Sequence, residues 1–183
     1  PETIPGRIAQ MAERFSLTPS DRVYDPLPMF HMSTMLPLAA CRASGAAFLG
    51  AMHFEAGEGL ATMERERATV SYTSFPTLVS ALTNHPDFER RDLSALRLVH
   101  CVGPADLLRR YAAAFPQAFF VNAYGLTEAT GVPVYSDPAD DGQTKGPAWP
   151  EGYWRGEHML QRGNAKYSWY WHGDALTPGV AAT

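Results

Sequence analysis

An α/β fold with a largely parallel sheet flanked by helices is predicted by two features of this sequence. Helical and strand-like hydrophobic periods alternate along residues 1–142, and the strand-like runs include one, Leu96–Val102, that is apolar without alternation. A continuous apolar run suits a strand covered on both faces, and the interspersed helices supply that cover.

The elements follow in order. Ile4, Ile8, Met11, Ala12 and Phe15 mark one face of a first helix, and Val23–Tyr24 opens a short extended run stopped by Pro26 and Pro28. An apolar helix is expected at about 32–43, a strand at 46–52 and a more polar helix at 58–67. Thr69–Thr73 is β-branched and aromatic, as strands are. Phe75, Leu78, Val79 and Leu82 lie at i, i+3, i+4 and i+7, which is a helix face. After the run 96–102, Leu107, Leu108, Tyr111, Ala112 and Phe115 mark another helix, ended by Pro116, and Ala118–Val121 reads as a last buried strand. Beyond residue 142 the composition changes: all four tryptophans and both lysines lie there, with Leu160, Leu176 and Val180 as the only aliphatics. The expected organisation is a body over 1–142 and an irregular, weakly structured tail over 143–183 that forms no domain of its own.

Composition narrows the function classes. The 183 residues are 45% hydrophobic and 19% charged, enough apolar material for a core. Net charge is -4, so no basic surplus exists to neutralise phosphates and no nucleic-acid partner is expected. Cys41 and Cys101 form neither a disulfide framework nor a metal-ligand spacing, which fits a reducing, cytoplasmic setting. No run of about 18 apolar residues occurs, so no membrane span is expected. The chain opens Pro1-Glu2-Thr3 without methionine, and is expected to be a piece of something longer.

In open α/β sheets, ligands bind beyond the carboxyl ends of the strands. Two segments should lie there. Gly103-Pro104-Ala105 follows a strand and opens a helix, offering free backbone N–H groups. Asn122-Ala123-Tyr124-Gly125-Leu126-Thr127-Glu128-Ala129-Thr130-Gly131 offers an aromatic face, a hydroxyl and a carboxylate, the donor types that a metal-nucleotide needs. Taken as residues alone, the same stretch also reads as a turn with one solvated glutamate. Gly57-Glu58-Gly59 with Thr62 is a G-x-G-x-x-G lacking its third glycine, and Glu58 would meet incoming phosphates, so a dinucleotide site is not expected there. The histidines show no zinc spacing.

Asn122–Gly131, reading NAYGLTEATG, resembles the signature of the adenylate-forming superfamily: acyl-CoA synthetases, firefly luciferase and nonribosomal-peptide adenylation domains. Leu27-Pro28-Met29-Phe30-His31 is similar to its L-P-x-F-H segment, Asp92-Leu93-Ser94-Ala95-Leu96-Arg97 to its D-L-S-S-L-R segment, and Gly103-Pro104-Ala105 to its adenine-lining loop. In the tail, Gly152-Tyr153-Trp154 resembles a G-Y-W stretch, and Gly173-Asp174 stands at the family's interval beyond it, with His172 in place of a threonine.

The resemblance implies an ATP-dependent acid–thiol ligase of fatty-acid type chemistry. A carboxylic acid is activated as acyl-AMP and then transferred to coenzyme A. By the same resemblance, Tyr124 stacks on adenine, while Gly103, Pro104, Ala105, Asn122, Ala123 and Gly125 line the nucleotide. Thr127 donates to phosphate, Glu128 binds Mg²⁺, Asp174 takes the ribose, and His31 borders the acyl pocket and the thiol's entrance. The family's phosphate loop would precede Pro1 and its catalytic lysine would follow Thr183, so the isolated chain is expected to lack acid-dependent ATP–pyrophosphate exchange. The alternatives are a catalytically inactive module that binds nucleotide or acyl group, or a non-functional truncation. Read without the resemblance, His31 is a helix-terminal histidine satisfied by backbone, Cys101 a packed thiol, and Met32, Ser33 and Phe75 either acyl-pocket lining or ordinary core.

Overall fold

The computed structural model describes residues 3–136, 169–172 and 175–178. Backbone contacts divide the chain into two compact units, Pro1–Ala139 and Asp140–Thr183.

The first unit alternates helix and strand as expected: α1 (Thr3–Arg14), β1 (Arg22–Asp25), α2 (Met32–Ser44), β2 (Ala47–Gly50), α3 (Ala56–Arg65), β3 (Val70–Ser74), α4 (Pro76–Thr83), β4 (Leu98–Cys101), α5 (Ala105–Ala114) and β5 (Phe119–Val121). Local chemistry sets the boundaries. Glu55 caps α3 by accepting from the Gly57 and Glu58 N–H groups, Gly45 ends α2 at φ 77°, and Pro76 occupies the first turn of α4.

All five strands are parallel, in the order β2-β1-β3-β4-β5. The order reverses between β1 and β3, which opens a crevice at their carboxyl ends. Successive strand residues face opposite ways and feed two cores. Val23, Val70, Tyr72 and Leu98 pack with Met11 and Phe15 of the α1 region and with Leu36 and Ala40 of α2. Tyr24, Val99 and Cys101 pack on the other face with Leu60, Met63, Val79, Leu82 and Tyr111 from α3, α4 and α5. Gly59 explains its own near-motif: a Cβ there would lie 2.7 Å from the Tyr24 hydroxyl, so glycine lets α3 approach β1.

A polar clamp centred on the buried Asp21 joins the amino ends of the central strands. The Asp21 carboxylate accepts from Thr18 N–H (2.8 Å), Thr18 Oγ1 (2.9 Å), Thr69 Oγ1 (2.6 Å) and Arg97 Nε (2.9 Å). Arg97 Nη2 also donates to the Phe15 carbonyl at 2.8 Å. Burial alone would raise the carboxyl's pKa, but these donors outweigh it and hold Asp21 at about 2.

The structure corrects four local expectations. The last strand of the sheet, expected to be buried, is only partly so: Phe119 is 60% exposed and Val121 is buried. The run 96–102 yields only four strand residues, because Val102 N–H turns to the Ser74 carbonyl at 2.7 Å and leads the chain away. Phe75 is the N-cap of α4, half exposed rather than on its buried face. The stretch 122–131 is not a loop. It forms β6 (Ala123–Leu126), a 3₁₀ turn (Thr127–Ala129) and the start of β7 (Gly131–Tyr135), paired antiparallel outside the main sheet.

The second unit's described residues form an antiparallel pair, β8 (Trp169–His172) with β9 (Ala175–Pro178), within the segment expected to be irregular. Among the described residues no helix is long and apolar enough to cross a membrane.

Candidate functional site

The carboxyl ends of β4 and β5 each continue into a segment singled out above, and one side chain ties the two together. Asn122, buried immediately after β5, donates from Nδ2 to the Gly103 carbonyl at 2.9 Å and accepts from Gly103 N–H at 3.3 Å. Its Oδ1 also accepts from Ala123 N–H at 2.8 Å. Its backbone is locked to Ser136, whose hydroxyl accepts from Asn122 N–H at 2.9 Å and whose N–H donates to the Asn122 carbonyl at 2.8 Å. The amide is thus occupied in clamping the 103 loop to the 122–136 hairpin.

Pro104 is the N-cap of α5, at φ -66° and ψ 151°, and no side chain caps the helix. Ala105 is its first residue, so the helix presents first-turn N–H donors beside Gly103.

The hairpin presents the remaining candidates outward. Tyr124 lies on β6 opposite Val134, with half its surface exposed. Gly125 is forced by a close approach: a Cβ would fall 2.3 Å from the Gly131 carbonyl oxygen and 2.8 Å from Val132 Cα. Thr127 and Glu128 sit in the exposed turn, which closes through Thr130 N–H to the Thr127 carbonyl at 3.0 Å, with Thr130 at φ 61°. The arrangement sets an aromatic face, a hydroxyl and a carboxylate along one short ribbon. Such a ribbon can stack on a base and meet phosphate oxygens or a cation.

His31 stands at the other side of the crevice, where the Pro-interrupted run after β1 enters α2. It is exposed and caps the helix, its Nδ1 taking Ser33 N–H at 3.4 Å and lying 3.0 Å from Ser33 Oγ. With Nδ1 accepting, the neutral ring carries its proton on Nε2. The first turns of α2 touch the hairpin: Leu36 Cδ2 and Met32 Cε lie 3.2 and 3.7 Å from where a Cβ on Gly131 would stand. His31 and Phe75 thus flank the point where strand order reverses, while the nucleotide candidates follow the next two strands. Cys101 is fully buried, and burial pushes its thiol up to about 12. Asp174 lies outside the described residues.

Two buried features went unread in the sequence. Asp25, fully buried at the end of β1, accepts from Leu27 N–H at 2.8 Å, and its Oδ2 has no partner among the described residues. Burial pushes its carboxyl up to about 8. The second is His100, stacked on Tyr72 at 4.2 Å with an interplanar angle of 5° and bonded to Ser74. A polar residue inside an apolar strand run was the available signal for His100. The Asp-Pro step at a strand end was the signal for Asp25.

Comparison with known proteins identifies the family and the fold. A model of the AMP-binding enzyme family matches residues 6–152. The chain is 35% identical over 128 residues to a Bacillus subtilis (strain 168) protein carrying the name acyl-CoA synthetase YngI, covering 68% of this chain and 23% of the relative. It is 39% identical over 108 residues to 4-coumarate–CoA ligase 2 of Oryza sativa subsp. japonica, covering 56% and 19%. The chain therefore spans about a fifth of the length of these curated relatives. Among solved structures, a Mycobacterium tuberculosis fatty acyl CoA synthetase superposes with a TM-score of 0.68 at 23% identity, covering 76% of this chain and 28% of that one. The Bacillus subtilis O-succinylbenzoate coenzyme A synthetase in complex with AMP gives 0.62 at 20% identity, covering 75% and 35%. At these identities the structural likeness establishes the fold.

Proposed function

Since the chain belongs to the AMP-binding enzyme family, we propose that it is part of an ATP-dependent acid–thiol ligase that activates a carboxylic acid as acyl-AMP and passes the acyl group to coenzyme A. The observation that carries this reading is the clamped pair of segments at the sheet's carboxyl end. Asn122 fixes the Gly103 loop against a hairpin that presents Tyr124, Thr127 and Glu128 to solvent.

In the first half-reaction the acid's carboxylate oxygen attacks the α-phosphorus of ATP and pyrophosphate leaves. In the second, the thiolate of coenzyme A attacks the acyl carbonyl and AMP leaves. Neither step needs a covalent bond to the protein, so the residues act by positioning and by stabilising charge. Tyr124 offers its ring to adenine, with Gly103, Pro104 and Ala105 lining the opposite edge. Ala123 and Gly125 keep the ribbon's backbone close to the nucleotide, and Asn122 holds the two walls in register. Thr127 donates its hydroxyl to a phosphate oxygen. Glu128 is the group suited to Mg²⁺, because it is exposed, carries hard oxygen donors and is engaged by no ion pair among the described residues. Magnesium commonly takes one or two carboxylates and completes its shell with phosphate and water, so one glutamate suffices. When bound, the ion neutralises charge on the phosphates. His31, exposed at the entry of α2, borders the acyl group.

The test is acid-dependent exchange of pyrophosphate into ATP, run on the protein carrying this chain. Glu128→Ala should lower the exchange rate by about 10² or more, and Glu128→Gln nearly as far, because an amide is a weaker ligand for Mg²⁺. Wild-type exchange in either variant at limiting Mg²⁺ would reduce Glu128 to a loop residue. Absence of exchange with every acid tried would remove the ligase reading.

A further inference from the structure

The loop at Gly103 is held from the hairpin side by Asn122, but its other support lies beneath the site, at a strained residue. Ser74 ends β3 at φ 51°, a region that disfavours side chains with a Cβ. Phe75 N–H reaches back to the Thr73 carbonyl at 2.5 Å, so residues 73–75 form a three-residue turn of the rare type with positive φ at its centre. The β3–β4 register slips there, from Tyr72 opposite His100 to Ser74 opposite Cys101. This slip aims the Ser74 carbonyl at Val102 N–H, 2.7 Å away, and Val102 is the residue from which the loop departs.

Serine does not choose this conformation unaided. Its Oγ lies 3.1 Å from His100 Nδ1, and both side chains are buried. The imidazole is fully enclosed and stacked on Tyr72, and its Nε2 has no partner among the described residues. An aliphatic residue would fill the same space in a strand without burying an unpaired nitrogen. Strain and an unpaired buried nitrogen coincide one residue-pair below the candidate adenine loop.

We propose that His100 and Ser74 are positioning residues: their hydrogen bond holds Ser74 in its left-handed conformation, and the Ser74 carbonyl in turn fixes Val102–Ala105 in the geometry that receives adenine. Neither side chain touches the nucleotide. The assignment of adenine to this loop rests on the function proposed above, whereas the mechanical link from His100 to the loop does not. Burial also pushes the imidazole down to about 3, so the ring stays neutral and the bond is insensitive to pH across the working range.

The logic gives a rescue experiment. If the bond serves only to hold a positive φ, glycine at 74 makes it unnecessary, because glycine adopts that φ freely. Three variants are compared with wild type: Ser74→Ala, which keeps the Cβ but loses the bond; Ser74→Gly; and Ser74→Gly combined with His100→Phe, which keeps the stacking. Two readouts are taken on each, hydrogen exchange at the Val102 and Gly103 amides and titration with AMP as the probe. Ser74→Ala should speed exchange at both amides by about tenfold and weaken AMP by a similar factor, as loss of one buried hydrogen bond allows. Ser74→Gly and the double variant should stay within about twofold of wild type on both readouts. Unchanged exchange in Ser74→Ala, or faster exchange in a folded Ser74→Gly, would overturn the proposal. Exchange that follows the expected pattern while wild type shows no AMP binding would uphold the mechanical link and overturn the adenine assignment alone.

Discussion

Asp21 and Asp25 stand at opposite ends of β1 and titrate in opposite directions. Asp21, surrounded by donors, is held at about 2, below its unfolded value of 3.8. Its contribution is present above pH 3.8 and is lost as pH falls toward 2. Asp25 is buried with a single backbone donor and sits at about 8, above the same unfolded value. Its neutral form is the one the fold accepts, so its contribution is full below pH 3.8 and drains as pH climbs through 8. Asn at position 25 resembles the protonated carboxyl and can still accept from Leu27 N–H. Asp25→Asn should therefore stabilise the protein at pH 7 by about 1–4 kcal/mol and flatten its stability between roughly pH 4 and 8. Urea unfolding at several pH values checks this. An Asn variant with the wild-type slope would mean that Asp25 is already ionised in the fold.

At the level of elements, the β6–β7 hairpin is the part on which the nucleotide reading depends, and its geometry is set by Gly125. A methyl group there would strike the Gly131 carbonyl and Val132 Cα, which are backbone atoms that cannot swing aside. Gly125→Ala should open the ribbon at a cost of about 1–3 kcal/mol, and weaken AMP by about tenfold or more. Far-UV circular dichroism should stay close to wild type, because the hairpin lies outside the five-stranded sheet. An alanine variant that binds AMP as wild type does would detach the hairpin from the site. The same hairpin shows where sequence reasoning stops. The helices were legible because their punctuation is local: Pro76 at an entry, Pro116 beyond an exit, apolar residues at helical spacing. The family was legible from the motifs in the segments 27–31, 92–97 and 122–131. That residues 122–131 form paired strands was not, because Asn, Gly and Thr there are common turn residues and the pairing partner, 131–135, carries a proline. The partial exposure of β5 was also hidden, since a strand's cover depends on which elements pack over it. His100 and Ser74 were missed for a related reason: a hydrogen bond between residues on different strands leaves no spacing to read.

For the whole molecule, every pairing in the main sheet joins segments separated by an intervening helix, so each requires loop closure before any bond rewards it. The Asp21 clamp is the extreme case. It links the carbonyl of Phe15, the carboxylate of Asp21, the hydroxyl of Thr69 and the guanidinium of Arg97, drawn from three separate stretches of chain. The Thr69 bond needs the amino ends of β1 and β3 together, and the Arg97 bonds need β4 brought up as well. Contacts made that late are absent from the folding transition state, so they slow escape from the native basin without hastening entry to it. The clamp is thus a latch in time rather than a seed. Arg97→Met, which keeps the apolar stem and removes the donors, should raise the unfolding rate by about tenfold or more while the refolding rate changes less than about twofold. Stopped-flow kinetics in urea separates the two arms, and a loss falling on the refolding arm would place the clamp in the nucleus instead. On this account the chain's lifetime in the folded state is set in large part at the amino ends of its strands, the end of the sheet away from the proposed ligand crevice.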